Sequence, residues 1–95
     1  MYKAIIVDDE NRSVETLKII LQQFCADEIE MVGTANSIQE AYTLINSVSP
    51  DIVFLDVEMP HGSGFDLLEK IPKPNFEVIF TTGFDRYAVT AIKFS

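Results

Sequence analysis

The sequence predicts an α/β fold in which four strand–helix units wind around a parallel sheet. Two observations carry this. Lys3-Ala4-Ile5-Ile6-Val7 and Ile52-Val53-Phe54-Leu55 are short apolar runs without the alternation of a half-solvated strand. Such runs read as strands buried on both faces, the mark of a parallel sheet. Between the strand-like segments, apolar residues recur at helical spacing, and a β-α alternation joins parallel strands by right-handed crossovers.

The elements follow in order. After the first strand, Val14, Leu17, Ile20, Leu21 and Phe24 form one face of a helix from about Asn11 to Cys25. Glu30 to Ala35 is a second, weaker strand. Ser37-Ile38-Gln39-Glu40 is a capping box opening a helix with inner face Ile38, Ala41, Leu44, Ile45 and Val48, and Ser49-Pro50 ends it. The third strand covers Asp51 to Asp56. Gly62 and Gly64 then loosen a loop before a short helix, Phe65 to Ile71, which Pro72 and Pro74 stop. Phe76 to Thr81 is the fourth strand. Phe84, Tyr87, Ala88, Ala91 and Ile92 form one face of a last helix starting near Asp85, with Lys93 about where it ends. Tyr42, Phe65 and Phe76 are expected in the core, and Cys25 as a small buried hydrophobe.

Composition narrows the class. A chain of 95 residues, 47% hydrophobic, forms one domain with a genuine core. Fifteen acids against seven bases leave a net charge of −8, which repels nucleic acid and anionic membranes. No apolar stretch approaches the length of a membrane span and no signal peptide opens the chain. With Cys25 alone there is no internal disulfide, which fits a cytoplasmic protein.

The chemistry lies in three aspartates, Asp8, Asp9 and Asp56, each just past the end of an apolar run. Ligands bind at the carboxyl ends of strands in open α/β sheets. Carboxylates gathered there repel by roughly 4 kcal/mol per pair at ~4 Å and an effective dielectric of ~20. A hard, oxygen-seeking cation such as Mg²⁺ relieves that repulsion. Each residue also has a plainer reading. Asp8 or Asp9 could cap the following helix; Asp56 could be a solvated strand-end acid. Thr82 could be an ordinary turn residue, and Thr81 is its neighbour. The side chains of Glu10, Glu58 and His61 read as solvated.

Taken in register, Val7-Asp8-Asp9-Glu10, Phe54-Leu55-Asp56-Val57-Glu58-Met59-Pro60, Gly64 and Thr82-Gly83 resemble the receiver domain of bacterial two-component response regulators. The resemblance implies a flavodoxin-like doubly wound sheet with strand order 2-1-3-4 and Asp56 as phosphoacceptor, a carboxylate nucleophile. It implies Mg²⁺ on Asp9, Asp56 and the backbone carbonyl of Glu58, with Asp8 acting mainly through water. Thr82 would offer its hydroxyl, and Gly83 its amide, to the phosphoryl oxygens. The donor would be a sensor histidine kinase. Such a domain is a signalling phosphoacceptor and not an enzyme, its only catalysis being its own phosphorylation and dephosphorylation. Phe80 to Ala88 is similar to receivers joined to LytTR-type DNA-binding domains, so the controlled output would be a DNA-binding domain outside this segment, and transcription its target.

The family's fifth strand and fifth helix, with a lysine that contacts the phosphoryl group, are expected to be missing from this 95-residue segment, and Lys93 is no substitute. Phe76 to Thr81 is therefore expected to be a bare apolar sheet edge that promotes self-association. Two rival functions remain. A small Mg²⁺-dependent aspartyl phosphatase would carry Asp-x-Asp where this chain has Asp56-Val57-Glu58. A receiver-like interaction module without phosphorylation would not need the acidic set.

Overall fold

The computed structural model describes residues 1–59, 62–71, 75–81 and 92–94. The apolar runs become β1 (Tyr2–Val7), β2 (Ile29–Ala35), β3 (Ile52–Asp56) and β6 (Glu77–Thr81), joined through α1 (Asn11–Cys25), α2 (Ile38–Val48) and α3 (Gly64–Glu69). Between β3 and α3, β4 (Glu58–Met59) and β5 (Gly62–Ser63) form a small antiparallel ladder. β1 pairs in parallel with β2 and β3, and β3 with β6, so the four long strands take the expected order 2-1-3-4. This is the flavodoxin-like strand order that the sequence predicts.

The continuous apolar runs reflect burial on both faces. Ile5 and Val7 of β1 join Val53 and Leu55 of β3, Val78 and Phe80 of β6, Ala41 and Ile45 of α2, and Leu67 of α3 in one cluster. The intervening Ala4 and Ile6 join Phe54 and Val14 of α1 in the other. Alternate residues of each strand thus feed opposite cores. Burying side chains such as Ile5, Leu55 and Leu67, all 0% exposed, contributes about 1.5–3 kcal/mol each.

The helices end where local chemistry dictates. The Ser37 hydroxyl accepts the Glu40 amide at 3.1 Å, the first bond of a capping box, while the Glu40 carboxylate accepts the Asn36 amide at 3.1 Å, one residue before the cap. Ser49 stops α2 in the left-handed region at φ 47°, its amide donating to Ile45. The Lys3 ammonium donates to the Val48 carbonyl at 2.9 Å, placing a cation at the negative end of α2.

Several expectations are corrected. β7 (Ile92–Phe94) pairs antiparallel with β6, placing Phe94 opposite Val78 and Ile92 opposite Phe80. Ile92 and Lys93 are therefore strand, not the end of a helix. The edge expected to be bare is covered there, and the argument for self-association from it lapses. Ile-Lys-Phe has the short alternating pattern suited to an edge strand, and pairing satisfies the outer amides and carbonyls of β6. The rest of the expected last helix lies outside the described residues.

On α1, Val14 is buried and Leu17 and Leu21 half-buried, whereas Ile20 and Phe24 are exposed, so the buried stripe is narrower than the apolar one. Phe76 is buried as expected, but Tyr42 and Phe65 are exposed. Tyr42 follows Ala41 and turns about 100° away from the inward stripe. Phe65 lays its ring against Phe80, with centroids 4.9 Å apart. Cys25 is half-buried. The β2 strand also carries an irregularity: Ala4 pairs with Met31 but Ile5 with Gly33, leaving Val32 as an extra residue.

Candidate phosphoacceptor and metal site

Register builds the site. β1 and β3 run in parallel with Val7 across from Leu55, so the next residues on the two strands, Asp8 and Asp56, come side by side. Asp56 in turn lies across from Thr81 of β6. Asp8 and Asp56 are buried at 6% and 5% exposure, and Asp9 is exposed. One carboxylate oxygen from each of the three lies within 4.8 Å of the others.

Backbone contacts hold these residues in place. The Asp8 amide donates to the Ala35 carbonyl at 3.0 Å, tying the end of β1 to the end of β2. The extra residue Val32 sets that alignment, because it brings Ala35 opposite Val7. Asp8 Oδ1 accepts the Glu10 amide at 2.9 Å, so one oxygen is committed to the turn into α1. Asp8 therefore serves the turn and the acidic cluster together, and Glu10, the N-cap of α1, makes no side-chain capping bond. Beyond Asp56, the Val57 amide donates to the Thr81 carbonyl at 3.4 Å, and the Val57 carbonyl accepts the Gly64 amide at 3.0 Å. Met59, 8% exposed, packs into the core.

The clustered carboxylates are oxygen donors of the kind a hard cation takes. Burial pushes the Asp8 carboxyl above its ordinary range; the Glu10 amide works against this, the Asp9 charge adds to it, and a hydrogen bond with Asp56 offsets part. Two octahedral Mg²⁺ ligands are at most roughly 4.2 Å apart, twice the metal–oxygen distance. The three carboxylate oxygens lie within 4.8 Å of one another, an upper bound wider than that span, and hard oxygen donors are the type Mg²⁺ prefers. The donor set fits the ion.

Of the sequence-predicted residues, Asp8, Asp9 and Asp56 are brought together. Glu58 opens β4 two residues past Asp56. Thr82 and Gly83 lie outside the described residues, one and two positions beyond Thr81. His61 is likewise outside. Sequence reasoning missed the contact of Gly64 with the strand that carries Asp56. A Cβ built on Gly64 would sit 2.7 Å from the Asp56 carbonyl oxygen. The glycine before a helix was a visible signal, but it suggested looseness instead of closeness.

Among the described residues, no helix is long and apolar enough to cross a membrane. The family model "Response regulator receiver domain" matches residues 4–95. The chain is 38% identical over 94 residues to the transcriptional regulatory protein BtsR of Salmonella typhi, with 98% of this chain and 38% of that protein covered. It is 33% identical over 96 residues to the sensory transduction protein LytT of Bacillus cereus, with the same coverage. The chain thus spans well under half the length of these relatives. Among solved structures, the response regulator TrrA of Thermotoga maritima, in complex with Mg²⁺ and BeF, matches with a TM-score of 0.74 and 33% identity. That match covers 93% of this chain and 75% of that one.

Proposed function

We propose that this chain, which belongs to the response regulator receiver family, accepts a phosphoryl group on Asp56 and acts as a switch for an output domain. The observation that carries the reading is the convergence of Asp8, Asp9 and Asp56 at the carboxyl ends of β1 and β3. Asp56 is the nucleophile: a carboxylate oxygen bonds to phosphorus as the bond from phosphorus to the donor's leaving atom breaks, leaving an acyl phosphate on Asp56. Asp56 suits this role because it is clamped through Val57 on both sides, to Thr81 and to Gly64. In-line phosphoryl transfer needs such positioning more than covalent help. Asp9 and Asp56, with the Glu58 carbonyl, would hold Mg²⁺ directly. Asp8, already bonded to the Glu10 amide, would act through water. When bound, Mg²⁺ neutralises charge on the phosphoryl oxygens and on the carboxylates.

Thr82 and Gly83 follow the strand position that faces Asp56, and are assigned the switch hydroxyl and a backbone donor. The phosphoryl donor is a sensor histidine kinase, and the protein is a cytoplasmic phosphoacceptor and not an enzyme with a separate substrate. Similarity to a transcriptional regulatory protein, and to LytT, supports a DNA-binding output of the LytTR type. The net charge of −8 argues that this domain does not itself contact DNA.

Intact-mass spectrometry after incubation with acetyl phosphate and Mg²⁺ tests the proposal. The expected result is a mass gain of one phosphoryl group that requires Mg²⁺ and is absent in Asp56→Asn. A wild type that stays unmodified would overturn it.

A further inference from the structure

We propose that Gly64 is a positioning residue for Asp56, its missing side chain being the clearance that keeps the phosphoacceptor in register with Asp8 and Asp9. The inference rests on the reading of Asp56 as phosphoacceptor. A Cβ at position 64 would lie 2.7 Å from the Asp56 carbonyl oxygen, 2.9 Å from Leu55 Cγ and 3.2 Å from Leu55 Cδ2. Ordinary carbon–oxygen contacts begin near ~3.3 Å, so something must give by about 0.6 Å.

Three groups could give, and two are locked within the core, whereas the third is tied by hydrogen bonds alone. Leu55 is 0% exposed and packed within the core, with no surface to swing toward. Helix α3 is anchored through Leu67, also 0% exposed, so its retreat would open the core. The Asp56 peptide remains. It ends β3, and its carbonyl leads directly into Val57, whose amide bonds Thr81 and whose carbonyl accepts the Gly64 amide. A methyl at position 64 therefore displaces the backbone that carries the Asp56 carboxylate relative to a partner set gathered within 4.8 Å. Functional constellations tolerate displacements of about 0.5 Å, and the shift required here is of that size.

Gly33 shows the contrast. The three atoms its Cβ would meet first all belong to the branched end of Leu44, the nearest at 3.0 Å. A half-buried side chain can yield there without moving either aspartate-bearing strand.

The experiment compares Gly64→Ala with Leu67→Ala, which damages the same helix without touching the Asp56 peptide. Rates of phosphoryl uptake from acetyl phosphate are measured with Mg²⁺ well below both melting midpoints and expressed per folded molecule. Gly64→Ala should be slower than Leu67→Ala by roughly tenfold to a hundredfold, with weakened Mg²⁺ affinity by calorimetry, while Leu67→Ala stays near wild type. Should Gly64→Ala not fold, the double variant Gly64→Ala with Leu55→Ala removes the leucine clash and keeps the carbonyl contact. It should be slower than Leu55→Ala alone by a similar factor. Equal rates for Gly64→Ala and Leu67→Ala, or for the double variant and Leu55→Ala, overturn the positioning role while leaving Asp56 as acceptor. A wild type that takes no phosphoryl group overturns both.

Discussion

Replacing Asp8 by Asn should stabilise the protein when divalent cations are absent. Asp8 and Asp56 are both buried, and their nearest oxygens lie within 4.8 Å. Two full charges at 4.8 Å, the upper bound on that separation, repel by ~3.5 kcal/mol at an effective dielectric of ~20, and by more at hydrogen-bond distance. The hydrogen bond between the two carboxyl groups lowers that cost, because a shared proton removes one charge. Asn keeps an oxygen for the Glu10 amide, so the turn into α1 survives. The net gain should be about 1–2 kcal/mol, within the scale of single substitutions. For a domain of this size that is a midpoint rise of about 5–15 °C.

The pH dependence follows from the direction of the Asp8 shift. Its folded-state pKa lies above the ordinary value of 3.8, so the folded protein holds the proton more tightly than the unfolded chain. The stability this confers is complete below 3.8 and is lost as pH rises through the raised value. Wild type in EDTA should therefore lose stability over that window, and Asp8→Asn should flatten the loss. Thermal melts in EDTA across acid to neutral pH decide the matter. A variant midpoint equal to or below wild type at neutral pH would refute the reasoning.

Millimolar Mg²⁺ should raise the wild-type midpoint by mass action, and Asp9→Ala should abolish the rise; melts with and without the ion check this. Ser49→Gly should stabilise by roughly 1 kcal/mol, because a non-glycine residue holds φ 47° at the end of α2; a lower denaturation midpoint in urea would contradict it. Ser37→Ala removes the acceptor of the Glu40 amide and should cost about 0.5–2 kcal/mol in the same urea titration.

Much of the fold was legible because each strand states its own burial. The run Ile5-Ile6-Val7 could only be a two-faced strand, and Asn11–Cys25 was bounded correctly by its apolar period. The three aspartates were legible for a related reason: charges that end apolar runs must lie at the carboxyl edge of a sheet. What the sequence hid was tertiary. Ile92-Lys93-Phe94 continues a helical period on paper, yet as strand it satisfies the outer hydrogen-bonding groups of β6. Tyr42 and Phe65 are large and apolar, but the inward faces of α2 and α3 were already filled by Ala41, Ile45 and Leu67. The extra residue in β2 and the tight approach of Gly64 to Asp56 depend on neighbours distant in sequence, so no local pattern announces them.

The central claim is that Asp56, rather than Asp8 or Asp9, carries the phosphoryl group. Borohydride reduces an aspartyl acyl phosphate to homoserine, which marks the modified residue permanently. After treatment with acetyl phosphate, Mg²⁺ and then borohydride, peptide mapping by tandem mass spectrometry should find homoserine at position 56 alone. Homoserine at position 8 or 9, or at no aspartate, would contradict the account.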